Sequence, residues 1–317
     1  MQTRWFKKLV LPVSIAAAAM PLAAQDYPTK PVRIITAEAG GGADLLSRIV
    51  AQGIAAPLGQ PVIVDNRGPI AIEMGARAQA DGYSFLVYPN TVWVLPFMRK
   101  TAWDPVKDFA LITMATRAPN ILVVHPSVAA TSVKELIALA TSKPGALNYA
   151  DASIGSIPHL TAELFKATAG VNMVHIPYKG SGPAFNALFS GEVQVMFPNS
   201  GSAAPHIKAG RLRALAVTTL EPTPIAPGLP TVASAGLPGF ESAVTQGVFA
   251  PAKTPQAIVR RLNREIVGAL SKPEVRERLF ALGLEVVANT PEEFAAAMKA
   301  DMAKWGKVIK DAGIRAD

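Results

Sequence analysis

Apolar residues along the chain fall into short β-branched runs separated by longer stretches of helical period. Val32 to Thr36, Val62 to Asp65, Ser84 to Tyr88, Ile121 to His125, Met173 to Ile176, Val193 to Phe197, Leu212 to Val217 and Gly247 to Ala250 read as strands, with a further short one near Tyr149. A helical stretch lies between most of them, and this alternation predicts an α/β fold of open, largely parallel sheets covered by helices on both faces. Several helix starts are marked. Ser132 with Glu135, and Thr290 with Glu293, have the capping-box spacing, and Thr254 before Pro255 offers an N-cap followed by a proline at the first helical position. Ile258, Leu262, Ile266 and Leu270 then recur every four residues, as do Phe294, Met298, Met302, Trp305 and Ile309 after Thr290 with one step of three, so each helix turns one face to a core. The proline-rich stretch at 221–231 crosses the surface between elements.

The first residues change this picture. Arg4, Lys7 and Lys8 precede an apolar, alanine-rich run from Leu9 to Ala24, the layout of a secretory signal peptide, with cleavage expected near Ala24 or Gln25. No later segment has the roughly 18 consecutive apolar residues of a membrane span. The chain is therefore expected to be exported to the periplasm. Losing residues 1–24 removes three of the basic groups behind the formal charge of +8, so part of the basicity belongs to the leader. The remaining basic residues are densest between Arg260 and Arg278 on an amphipathic helix, without interleaved aromatics, which reads as a solvated face and not as a nucleic-acid surface. With no cysteine among 317 residues, an exported chain must be held by its hydrophobic core, which this length allows as one large or two medium domains.

The chemistry concentrates where strands end and helices begin. Gly40, Gly41 and Gly42 follow the first strand and precede a helix with Leu46, Ile49, Val50 and Ile54 on one face, so free N–H groups and the helix dipole favour an anion there. Neither the lysine of a Walker loop nor the spacing of a dinucleotide loop is present. Spacing alone leaves a ligand and a tight turn equally open. Two further junctions have the same character: Ser153, Ser156 and the N–H of Gly155 in "ASIGSIPHL", and Lys179 with Ser181 in "PYKGSGPA". Three such helix starts favour a binding cleft at the carboxyl ends of the strands.

Over nearly all its length the chain resembles the substrate-binding receptors of tripartite tricarboxylate transporters, the Bug or TctC family. The resemblance is carried by "YPTKPVRII", "GGGAD", "LGQPVIVDNR", "DPVKDFALI", "KPGALNYA", "HIPYKGSGPA", "AGRLRALAVTT" and "FAPAKTPQAIVRRLN", among others in the same order. It implies a two-lobed periplasmic binding protein of type II-like architecture, with a hinge of crossing strands. Such a receptor closes over a small organic acid and delivers it to membrane subunits of a transporter, as a monomer and with no cofactor. It also implies that one carboxylate sits at Ala37, Glu38, Ala39, Gly40, Gly41, Gly42 and Asp44, and another at Ser153 to Ser156. Two stretches depart from the family pattern. Thr36, Ala37, Glu38 and Ala39 stand where proline, phenylalanine, alanine and proline are usual, and Ile70, Ile72 and Glu73 replace small residues. Either Glu38 points away from the cleft, or it meets a cationic or hydroxyl-rich ligand.

On this reading the crossings lie near Ile121 to His125 and Gly247 to Ala250. Residues 26–123 plus 248–317 then form lobe one, and 124–247 lobe two. Trp93 is expected near the cleft or, equally, in packing, and Phe197, Pro198 and Asn199 on its far wall. Two rivals share the sequence. An exported serine hydrolase would use Ser156, His159 and Asp151, but the G-x-S-x-G elbow is missing, and His159 reads better as a helix-start residue bonding neighbouring backbone. A receptor signalling to a membrane sensor would share the fold and the site. No metal site is expected, because His125, His159, His175 and His206 are dispersed and no H-E-x-x-H occurs.

Overall fold

The computed structural model describes residues 27–315, so the expected leader lies outside the described residues. The strand runs build two sheets. The first holds β1 (Val32–Thr36), β2 (Val62–Asn66), β3 (Ser84–Pro89), β4 (Phe109–Pro119), β10 (Ala243–Pro251) and β11 (Glu285–Val286), in the order β11-β4-β10-β3-β1-β2. The second holds β5 (Ile121–Val124), β6 (Asn148–Asp151), β7 (Val174–Pro177), β8 (Val195–Met196) and β9 (Arg213–Val217), in the order β7-β6-β8-β5-β9. Pairing is parallel where βαβ units follow one another, as in β1 with β2 and β3, and β6 with β7 and β8. The strands nearest the passages between sheets run antiparallel, so the expected mostly parallel pairing holds only in the βαβ halves.

The first crossing falls beside the expected Ile121, but the return comes earlier than expected. β5 pairs only within the second sheet and β10 with β3 and β4 in the first. The chain therefore passes between sheets at Asn120 and returns between Thr218 and Ala243. Four fully buried polar residues join the two passages. Asn120 N–H donates to Thr218 Oγ1 (3.0 Å) and its Nδ2 to Thr161 Oγ1 (2.9 Å). Thr218 Oγ1 also donates to the Ser242 carbonyl (2.7 Å), and the Thr161 and Ser242 hydroxyls meet at 2.5 Å.

Each sheet carries a core on both faces. Helices Gly42–Leu58 and Gln256–Leu270 cover one face of the first sheet with Leu46, Ile54, Leu262 and Ile266; helix Pro291–Ala312 covers the other with Phe294, Trp305 and Ile309. Met302 is half-buried on that same face. Ile157 and Leu160 of helix Ile157–Ala169, which follows a second-sheet strand, join this core and bring the two halves together. Thr290 makes the full capping box with Glu293. Ser132 accepts from Glu135 N–H, but the Glu135 carboxylate reaches Thr131. Thr254 does not cap. Pro255 takes the N-cap position and the Thr254 hydroxyl is buried without a partner.

Candidate functional site

The first loop is shaped by an acid that turns inward. Gly40 takes a left-handed φ of 83°, open to glycine, and lets the chain double back before the helix. Asp44 then accepts from Gly40 N–H (2.9 Å) and Asn66 Nδ2 (3.0 Å) and pairs with Arg48 (3.0 Å). Burial alone would raise the Asp44 pKa; these bonds outweigh it and hold the carboxyl below its ordinary range. Asp44 therefore frames the loop from beneath, a correction to its expected place on the ligand. Asn66, unnoticed in the sequence, also ties down the Ala37 carbonyl. Gly41 caps helix Gly42–Leu58 with no side chain. The first N–H groups of that helix thus face outward with the positive end of its dipole.

They open into a cavity of about 580 Å³. Ala37, Glu38 and Gly40 to Gly42 form one wall; Asn199, Gly201 and Ser202 of the second half form another. Gln246, from β10, completes it. Glu38 is exposed and lines this cavity, its carboxylate resting over Gly68 with Oε1 3.1 Å from where a Cβ there would stand. Ala39 is exposed but outside the lining. Burial, with Glu38 nearby, pushes the Tyr88 hydroxyl up to about 12, so it stays a neutral donor.

The second loop lines a separate cavity of about 320 Å³ with Tyr88, Thr91, Arg99, Ser153, Gly155 and Ser156. Its backbone is mostly committed. Asp151 accepts from Ser153 N–H (2.8 Å), and His159 Nδ1 accepts from Gly155 N–H (3.0 Å), so the expected Gly155 donor is already used. Ser156 caps the helix by accepting from His159 N–H (3.3 Å). Its hydroxyl hydrogen remains available, and Arg99, which the sequence did not single out, brings a cation.

Beneath this loop Tyr149, His159 and His175 stack, with Asp151 bonded to His175 Nε2. The Ser156, His159, Asp151 relay of a hydrolase is not built: the His159 ring turns to Gly155 and Asp151 to His175. Ligand atoms of Asp151, His159 and His175 lie within 4.8 Å of one another. The two imidazoles are nevertheless only 22° from parallel, with centroids 4.4 Å apart. No point about 2.1 Å from a nitrogen of each lies in both ring planes, so this stack does not fit a metal.

His159 predicts a pH response. Burial lowers its pKa below the ordinary 6.5; His175 and Lys166 act the same way, Asp151 and Glu163 oppose. The unfolded chain takes up the proton more readily, so this contribution is complete above about pH 7 and shrinks as pH falls through 6.5. The melting temperature should drop between pH 7.5 and 5.5 more steeply than in His159→Gln, and parallel slopes would refute the assignment.

Three candidate residues line neither cavity, Trp93 taking the packing alternative. Trp93 is fully buried between Phe249 and Phe294, its indole N–H donating to Asp301 (2.9 Å). Phe197 packs on Phe165 inside the second sheet's core because its side chain turns to the helix face of the strand. Lys179 is exposed and lines neither cavity, although Gly180 N–H ties its loop to the Ala152 carbonyl. Asn199 lines the first cavity and caps helix Ser200–Lys208.

A family model described as the tripartite tricarboxylate transporter family receptor, TctC, matches residues 46–314. The chain belongs to this receptor family. BugT of Bordetella pertussis is 32% identical over 99% of the receptor and 98% of its own length, spanning the glycine loop that the family model leaves out. A Rhodopseudomonas palustris structure, Rpa4515 with adipate, is 36% identical and covers 92% of the receptor and 99% of its own chain, with a TM-score of 0.80. MatC of the same organism, with bound malate, is 29% identical over 89% of the receptor and all of its own chain, at 0.75. Two-sheet α/β architecture and solute binding are thus common to the receptor and its relatives. No helix among the described residues is long and apolar enough to cross a membrane.

Proposed function

We propose that this receptor captures a small organic acid in the periplasm, in the cleft between its two sheets, and delivers it to the membrane subunits of a tripartite transporter. The observation that carries the reading is the uncapped start of helix Gly42–Leu58, which opens into a cavity lined from the second half by Asn199, Gly201 and Ser202. Adipate and malate in the relatives fit the same chemistry. One lobe is built on each sheet, divided at Asn120 and between Thr218 and Ala243, and closure brings Ser156 and Arg99 onto the other end of the acid. Ligand favours the closed form only by binding it more tightly than the open one.

Thermal melts of the purified protein with adipate, malate, L-glutamate, benzoate and the neutral glutaramide test this. An acid at 100 times its dissociation constant stabilises by about 2.7 kcal/mol. A shift with at least one acid and none with the amide is expected. A flat panel would overturn the reading.

A further inference from the structure

We infer that the acid held here also carries an ammonium group, and that Glu38 binds it; this rests on the receptor reading above and names its substrate class. Two kinds of polar group line the larger cavity. At one pole, Gly41 and Gly42 present the uncapped helix start. Gln246 lies against it: it is 5% exposed, its Nε2 is 3.3 Å from where a Cβ on Gly42 would stand, and its Oε1 has no hydrogen-bond partner. The helix start and the Nε2 donor suit a carboxylate, whereas the buried Oε1 is an acceptor, costly to leave unpaired unless a ligand N–H engages it.

At the other pole stands Glu38. Among the described residues it forms no ion pair, whereas Asp44, Asp65 and Glu73 nearby are each paired with an arginine. Its carboxylate rests over Gly68, where φ is 58° and any Cβ would crowd it, so the turn leaves room for this acid. An unpaired carboxylate beside a carboxylate site repels a second anion placed on it and attracts a cation. A zwitterion satisfies both poles in one molecule. A plain diacid must hold its second charge clear of Glu38.

Calorimetric titration with glutarate against L-glutamate, and adipate against L-2-aminoadipate, isolates the ammonium group, since each pair differs only by it. The amino acid of at least one pair should bind about 10-fold more tightly than its diacid, and Glu38→Gln should erase that preference. Glu38→Ala should do the same, and because residue 38 is exposed both variants should melt as the parent does without ligand. If the diacids bind at least as well as the amino acids, or the preference survives Glu38→Gln, the inference fails while the receptor reading stands. If none of the four binds and the acid panel is also flat, both fail.

Discussion

Gly42→Val should abolish acid binding and leave the protein folded. Gly42 is the first residue of its helix, exposed, in ordinary helical backbone, so a β-branched side chain there meets no φ penalty. Its Cβ, however, would stand 3.3 Å from Gln246 Nε2, and the two γ-methyls would fill the space before the free N–H groups. A loss of about 100-fold, or about 2.7 kcal/mol, is expected in titration with whichever acid the parent binds. The protein should still melt cooperatively without ligand, at a cost of no more than about 1–3 kcal/mol, because the only close neighbour is the end of the Gln246 side chain, which shifts by a few tenths of an ångström. Wild-type affinity in Gly42→Val would move the anion pole to the second loop.

Trp93→Ala should do the opposite. The indole is enclosed by Phe249 at 6.1 Å and Phe294 at 5.9 Å, and its N–H holds Asp301, which also pairs with Lys304. Truncation removes a large apolar side chain, opens a cavity and takes a donor from Asp301, for a loss of about 3–5 kcal/mol in urea unfolding. Ligand affinity in the folded fraction should change less than about 3-fold, because Trp93 lines neither cavity. A large affinity loss with little loss of stability would restore Trp93 to the cleft.

These two residues show what sequence reveals here. The glycine loop was legible because an apolar run, three glycines and an amphipathic helix follow one another within a few residues, and local order is what sequence records best. Phe197 directly follows a strand and Trp93 sits in the short helix Thr91–Val94 after one, places where a side chain turned one way faces the cleft and turned the other enters the core. That choice depends on Phe249 and Phe294, or Phe165, more than thirty residues away in every case. β4 escaped notice for a related reason: with helices on both faces it shows no alternation, and its buried Thr113 and Thr116 break the apolar run. Gln246 was hidden inside a strand. The histidine stack joins residues sixteen apart: His159 on helix Ile157–Ala169 packs back onto β7, where pairing with β6 sets His175 opposite Tyr149.

The buried polar seam of Asn120, Thr161, Thr218 and Ser242 has a bearing on what a ligand must accomplish. Hydrogen bonds are directional, so two chain crossings stitched to each other in a dry interior resist sliding past one another far more than they resist a small torsion. If the two sheets close on a solute as proposed, lobes joined in this way swing along an arc and do not wander through a cone. An incoming solute of a dozen atoms then has little orientational freedom to remove from the protein, which leaves most of its few contacts to appear as affinity.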